Sequence, residues 1–127
     1  MDDGALAATD PEASHPVVAE CIRQLDEYFN GRRKEFSVKL KMNGTDFQKR
    51  VWRQLLRIPY GSTHTYGQTA RAVGREKAAR AVGAACGSNS ICIIIPCHRV
   101  VGSGGKLTGY GEGLWRKEWL LRHEKAI

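Results

Sequence analysis

Apolar residues recur at helical spacing through Val18, Ile22, Leu25 and Phe29, and Asn30-Gly31 is a suitable stop for the helix they predict. Ser14 is placed to cap that helix, with Pro16 tolerated in its first turn. The period then changes. Phe36, Val38, Leu40 and Met42 alternate with Ser37, Lys39 and Lys41, which predicts a one-sided strand. Residues 1–13 are small and acidic without periodicity, and predict a disordered or loosely held tail.

From residue 44 onward the pattern is mainly helical. Thr45 and Gln48 form a capping box for a helix carrying Phe47, Val51, Trp52, Leu55 and Leu56. Ile58-Pro59-Tyr60-Gly61 turns the chain, and Thr65 with Gln68 makes a second capping box for a helix from Tyr66 to Gly74. The turn Gly74-Arg75-Glu76-Lys77 leads into a helix over Ala78–Cys86, and two short helices so joined read as a helix-turn-helix. A glycine-rich loop over 107–113 precedes a last helix with Leu114, Trp115, Trp119, Leu120 and Leu121, ending near His123-Glu124. The expected architecture is α/β. A small helix–strand piece at 14–43 precedes a mostly helical domain at 44–127, with a buried isoleucine-rich segment inside it.

That segment is Ile91-Cys92-Ile93-Ile94-Ile95-Pro96-Cys97-His98-Arg99. The isoleucines read as a strand or a short core segment, and Pro96 turns the backbone into a loop or a helix start. Cys97 therefore stands where the chain leaves the core, a good place for a reactive group on a rigid support. A helix opening at Pro96, with His98 and Arg99 beside it, would favour a thiolate at Cys97. Cys21, Cys86 and Cys92 read as small core hydrophobes.

Charge changes the picture further. Residues 1–43 hold 6 Lys+Arg against 8 Asp+Glu, whereas residues 44–127 hold 14 against 5. The basic excess lies wholly in the segment that carries the candidate chemistry, as in a polyanion-binding domain. No apolar run is long enough to span a bilayer, the acidic start is unlike a secretory signal, and the irregular cysteine spacing suits reduced intracellular thiols. No His/Cys spacing suggests zinc, and His15 and His64 read as surface residues.

The helix over 78–86 is unusual because Ala78, Ala79, Ala81, Gly83, Ala84 and Ala85 are all small, leaving Arg80 as the long side chain of its front half. Small residues bring a helix backbone close to something, either a neighbouring helix or a groove about 6 Å wide such as the DNA minor groove. The residues alone leave both readings open.

Pro96-Cys97-His98-Arg99-Val100 resembles the active-site signature of the O6-alkylguanine-DNA alkyltransferases. The resemblance extends over Gly44-Thr45 with Phe47 and Val51-Trp52, Ile58-Pro59-Tyr60-Gly61, Thr65-Tyr66, Ala78 to Gly83, Asn89, Gly109-Tyr110 and Lys117 to Leu121, about two thirds of the chain. It implies repair of O6-alkylguanine in double-stranded DNA, the alkyl group passing irreversibly to Cys97 by a single-turnover cysteine S-methyltransferase that needs no cofactor or metal. It implies His98 as base, Glu124 as its orienting carboxylate, favouring imidazolium, and Asn89 as a tie between the DNA-binding helix and the active-site turn. The helix of Ala78, Ala79, Arg80, Ala81 and Gly83 would dock in the minor groove, Tyr66 would rotate and bind the base, and Arg80 would fill the gap in the stack. Backbone groups of Cys97, Val100 and Gly111 would meet the guanine edge, with Tyr110 as a pocket wall. Glu112 stands beside them as an acidic group near an anionic ligand. The resemblance further implies a monomer acting in the cytoplasm or nucleus, and leaves 14–43 as a remnant of a larger N-terminal domain. Two rival classes remain, a binder of alkylated DNA that does not repair it and a cysteine–histidine hydrolase.

Overall fold

The computed structural model describes residues 16–111 and 113–127. The predicted tail at 1–13, the Ser14 cap and Glu112 lie outside the described residues. The described residues divide into two compact units, one ending at Lys41 and the other beginning at Met42.

The first unit holds helix α1 (Pro16–Phe29) and an extended segment after it. The buried positions of α1 are Gln24 and Tyr28, while Ile22 and Phe29 of the predicted apolar stripe are exposed. Burial alternates along 36–42 as the pattern requires, yet this segment pairs with no strand among the described residues. The Gln24 amide accepts the Ser37 N–H at 2.9 Å and donates to Ser37 Oγ at 2.9 Å, so at Ser37 one side chain takes the place of a strand partner. Tyr28 packs on Phe36 with ring centroids 5.6 Å apart.

The second unit is built from α2 (Asp46–Leu55), α3 (Tyr66–Ala72), α4 (Ala79–Gly87) and α5 (Leu114–His123). Two short strands, β1 (His64–Thr65) and β2 (Val100–Val101), pair in parallel with His64 opposite Val100. The α/β class therefore stands, although its sheet lies at these pairs and not at 36–42. Both capping boxes form: Thr45 Oγ1 accepts the Gln48 N–H at 3.1 Å, and Thr65 Oγ1 accepts that of Gln68 at 3.0 Å. Gly74, at φ +79°, takes the left-handed conformation that stops the first helix of the α3–α4 pair.

Val51, Trp52 and Leu55 of α2, Ala70 and Val73 beside them, Val82 and Ala85 of α4, and Leu120 and Leu121 of α5 are all buried. Each large apolar side chain so buried contributes about 1.5–3 kcal/mol. The Trp52 indole N–H donates to the Ala85 carbonyl at 2.8 Å, tying α2 to α4 inside this core. In α5 the expected apolar set splits, because Leu120 and Leu121 are buried while Leu114, Trp115 and Trp119 are exposed. Among the described residues no helix is long and apolar enough to cross a membrane.

Candidate active site

The isoleucine run forms a tight turn and not a strand. Cys92 bridges to Ile95 across it, and Ile93 takes φ +75°, a conformation unfavourable for a β-branched residue. Asn89, two residues beyond the end of α4, holds that turn. Its Nδ2 donates to the Ile95 carbonyl at 2.9 Å, and its Oδ1 accepts the Ile91 N–H at 2.8 Å. The end of α4 and the backbone just before Pro96-Cys97 are thus joined through one buried amide.

Pro96 opens a single 3-10 turn, Cys97–Arg99, and not an α-helix, so an aligned helix dipole gives Cys97 little help. Cys97 and His98 are buried, and all four cysteines are thiols. Arg99, expected to act on the thiol, is committed elsewhere. Its Nε and Nη2 donate to Glu124 Oε1 and Oε2 at 2.8 and 2.9 Å, and its Nη1 donates to the Ile58 carbonyl at 2.7 Å. Glu124 Oε2 also lies 2.8 Å from His98 Nε2.

This arrangement revises the charge state of the histidine. Burial pushes the His98 pKa below its ordinary 6.5, and Arg99 and Lys117 add to that, against the opposing pull of Glu124. His98 therefore rests neutral and not as imidazolium. With Nε2–H donated to the carboxylate, Nδ1 carries the lone pair, and that buried nitrogen has no hydrogen-bond partner among the described residues. It is a base ready to take a proton.

Cys97 lines a cavity of about 20 Å³ with Cys86, Gly87, Gly109, Tyr110 and Gly111. Cys86, expected as a plain core residue, is thus part of the site, and its thiol is pushed up to about 12 by burial, with the Cys97 charge in support. A second, more open cavity of about 390 Å³ is lined by Tyr66, Ala79, Arg80, Gly83, Thr108 and Gly109, and Gly109 is common to both. Arg80 and Ala81 are exposed on α4, and Ala78 is its half-buried N-cap. Val100 is buried, and its N–H is used on the Cys97 carbonyl, so that N–H is not available to a ligand.

Lys117 is the residue that pattern reading missed as a site group. It is fully buried on α5, its Nζ donates to the Thr108 carbonyl at 2.8 Å, and it lies 5.6 and 5.9 Å from the ring centres of Tyr66 and Tyr110. Burial lowers its pKa, while Cys86 and Cys97 pull the other way, so its charge is felt at both thiols. A lysine on a helix half of whose residues are polar is ordinarily solvated. The available signal was its place one turn before Leu120-Leu121, on the inward face.

Residues 46–126 match the DNA-binding domain of 6-O-methylguanine DNA methyltransferases, and residues 3–42 match the ribonuclease-like domain of the same proteins. The chain belongs to the 6-O-methylguanine DNA methyltransferase family. It is 57% identical over 105 residues to the methylated-DNA–protein-cysteine methyltransferase of Mycobacterium tuberculosis, covering 83% of this chain and 64% of that protein. The protein of the same name from Methanosarcina acetivorans is also 57% identical over 105 residues, with 83% and 67% covered. Among solved structures, Mycobacterium tuberculosis OGT in complex with DNA superposes with a TM-score of 0.83 at 56% identity, covering 85% of this chain and 67% of that one. S. pombe Atl1, in complex with damaged DNA containing O6-carboxymethylguanine, gives 0.58 at 33% identity, with 65% and 79% covered.

Proposed function

We propose that this chain reverses alkylation of guanine by taking the alkyl group from O6 onto Cys97, once per molecule. The observation that carries the reading is the buried sequence Cys97, His98, Glu124, with an unpartnered His98 Nδ1 and the carboxylate on the opposite ring nitrogen. In the reaction the Cys97 thiol gives its proton to His98 Nδ1, directly or through a water, and the sulfur attacks the alkyl carbon. The S–C bond forms as the C–O6 bond breaks. The proton released from sulfur ends on guanine, which restores its N1–H. The product thioether has no hydrolytic exit, so the protein is consumed.

A base stacked in a duplex cannot enter the cavity beside Cys97, so the nucleotide is extruded first. The reading places α4 in the minor groove, Arg80 in the vacated stack and Tyr66 against the flipped base, supported by their shared cavity and its continuity with the Cys97 cavity at Gly109. Gly83, Ala79 and the exposed Ala81 allow close backbone approach, with phosphate contact and no sequence reading. Tyr110 and Gly111 wall the base, and Glu124 acts as the positioning residue that sets the His98 tautomer. The protein acts as a monomer on double-stranded DNA, inside the cell, where its thiols stay reduced.

Intact mass after incubation with a duplex containing O6-methylguanine tests this. A permanent gain of one methyl group per chain is expected. No adduct would favour a binder, the reading to which the likeness to S. pombe Atl1 points. A transient adduct would favour a hydrolase.

A further inference from the structure

Away from the thiol, a cleft of about 740 Å³ lies between α2 and the end of α3, lined by Asp46, Lys49, Arg50, Arg53, Gln54 and Arg57 on one side and by 72–74 on the other. Lys49, Arg53 and Arg57 stand four residues apart along α2 and the turn after it, so like charges repeat on one face. Among the described residues none of these three, nor Arg50, makes an ion pair. Such a row is mutually repulsive in the free protein, and Asp46 is the lone carboxylate on the lining.

Its place says what it meets. Tyr66, at the start of α3, lines the cavity shared with Arg80, whereas Ala72 to Gly74, at its end, line this cleft. The two sites are therefore separated by roughly the length of a seven-residue helix, about 10 Å, or about three base-pair steps. Arg75, in the turn that leads into α4, lies 5.4 Å over the Phe47 ring in the first turn of α2, so the approach to the proposed DNA-facing helix packs on the helix that carries this row of cations. The lining offers four cations and one glutamine amide against the single carboxylate of Asp46, a net positive set that fits a row of phosphates better than a base or a sugar.

We infer that this cleft is a second nucleic-acid contact, holding the sugar–phosphate backbone of the duplex a few base pairs from the extruded nucleotide. The inference rests on the proposed repair of duplex DNA. Its role is affinity and register, not chemistry: it clamps the flank while α4 occupies the groove.

The test is the salt dependence of binding to an undamaged duplex for the full chain and for the triple variant Lys49→Gln, Arg53→Gln, Arg57→Gln. Glutamine keeps the helix propensity of the residues it replaces. A control triple variant, Lys106→Gln, Arg122→Gln, Lys125→Gln, removes the same charge elsewhere. Loss of three phosphate contacts lowers the slope of log K against log salt by about 2.7. The control keeps the wild-type slope, and all three proteins react equally with free O6-benzylguanine. A wild-type slope in the cleft variant overturns the inference and leaves the cleft to an acidic protein segment. An equal fall in cleft variant and control also overturns it, since a general field then explains both. Where the unaltered chain transfers the alkyl group and only the cleft variant disappoints, the repair reading survives. Where the unaltered chain neither binds duplex nor transfers, both fall.

Discussion

Tyr66 and Lys117 converge on one acceptor: the tyrosine hydroxyl donates to the Thr108 carbonyl at 3.2 Å and the lysine Nζ donates to it at 2.8 Å. Two donors from different helices thus fix the backbone just before Gly109-Tyr110-Gly111, where the cavity beside Cys97 is walled. The same lysine places its charge near Cys97.

Lys117→Met removes that charge and one of the two bonds while keeping a buried chain of similar length. Alkylation of Cys97 by a free O6-alkylguanine base is expected to slow by at least roughly tenfold, the equivalent of one charge-assisted hydrogen bond. Part of the rate returns as pH rises, because alkali also supplies thiolate. A rate unaffected by the substitution at every pH would show that Lys117 merely fills space.

Selectivity among thiols should be complete. Cys86 lines the same cavity as Cys97, but its pKa of about 12 keeps it protonated at neutral pH. Peptide mapping after reaction is expected to find the alkyl group on Cys97 alone, and Cys97→Ala to bind alkylated DNA without acquiring it. An adduct on Cys86 in that variant would mean the cavity activates either sulfur.

His98 makes stability depend on pH in a definite direction. Its folded pKa lies below the ordinary 6.5, so the unfolded chain takes up a proton first as pH falls. The contribution is complete above 6.5 and is lost as pH drops through the window beneath it. Glu20 and Glu27, held below the ordinary carboxylate value by hydrogen bonds from Arg23 and Arg33 respectively, act only under 4.5. Thermal melts from pH 7.5 to 5 are expected to show a falling midpoint in the wild type and a flatter profile in His98→Gln. Identical profiles would mean that folding leaves the His98 pKa unchanged, and a wild type that gains on the variant as pH falls would mean that His98 is held charged in the folded protein.

Arg80→Ala separates extrusion from chemistry. Arg80 is exposed and lines the more open cavity, away from the sulfur. Reaction with alkylguanine in a duplex is expected to fall by about tenfold or more, while reaction with the free base holds, since only the first needs the vacated stack filled. Equal losses in both assays would make Arg80 a support of the fold.

Much of this was legible from residue order. Both capping boxes, the α3–α4 pair and the last helix follow from spacing, because local backbone chemistry decides them. Burial of Ile94 and Ile95 just before Cys97 also follows. What escaped depends on contacts far apart in sequence. Nothing local says that Gln24 would satisfy Ser37 in place of a neighbouring strand, or that β1 would pair with β2 across 36 positions. Nor does it say that Arg99 would turn away from the thiol toward Glu124, which lies 25 residues on. The charge on His98 was misjudged for a related reason: a carboxylate partner is visible in sequence, whereas burial and a second claimant on that carboxylate are not.

The bond from Trp52 to the Ala85 carbonyl has an optical consequence. Of the three tryptophans, Trp115 and Trp119 are 68% and 47% exposed, while Trp52 is at 4%. Iodide in solution silences the outer pair and leaves one indole emitting from the interior, its N–H held by the helix proposed to enter DNA. The colour of that residual fluorescence reports whether α4 stays seated on α2, so the chain carries its own gauge of helix seating before and after Cys97 is spent.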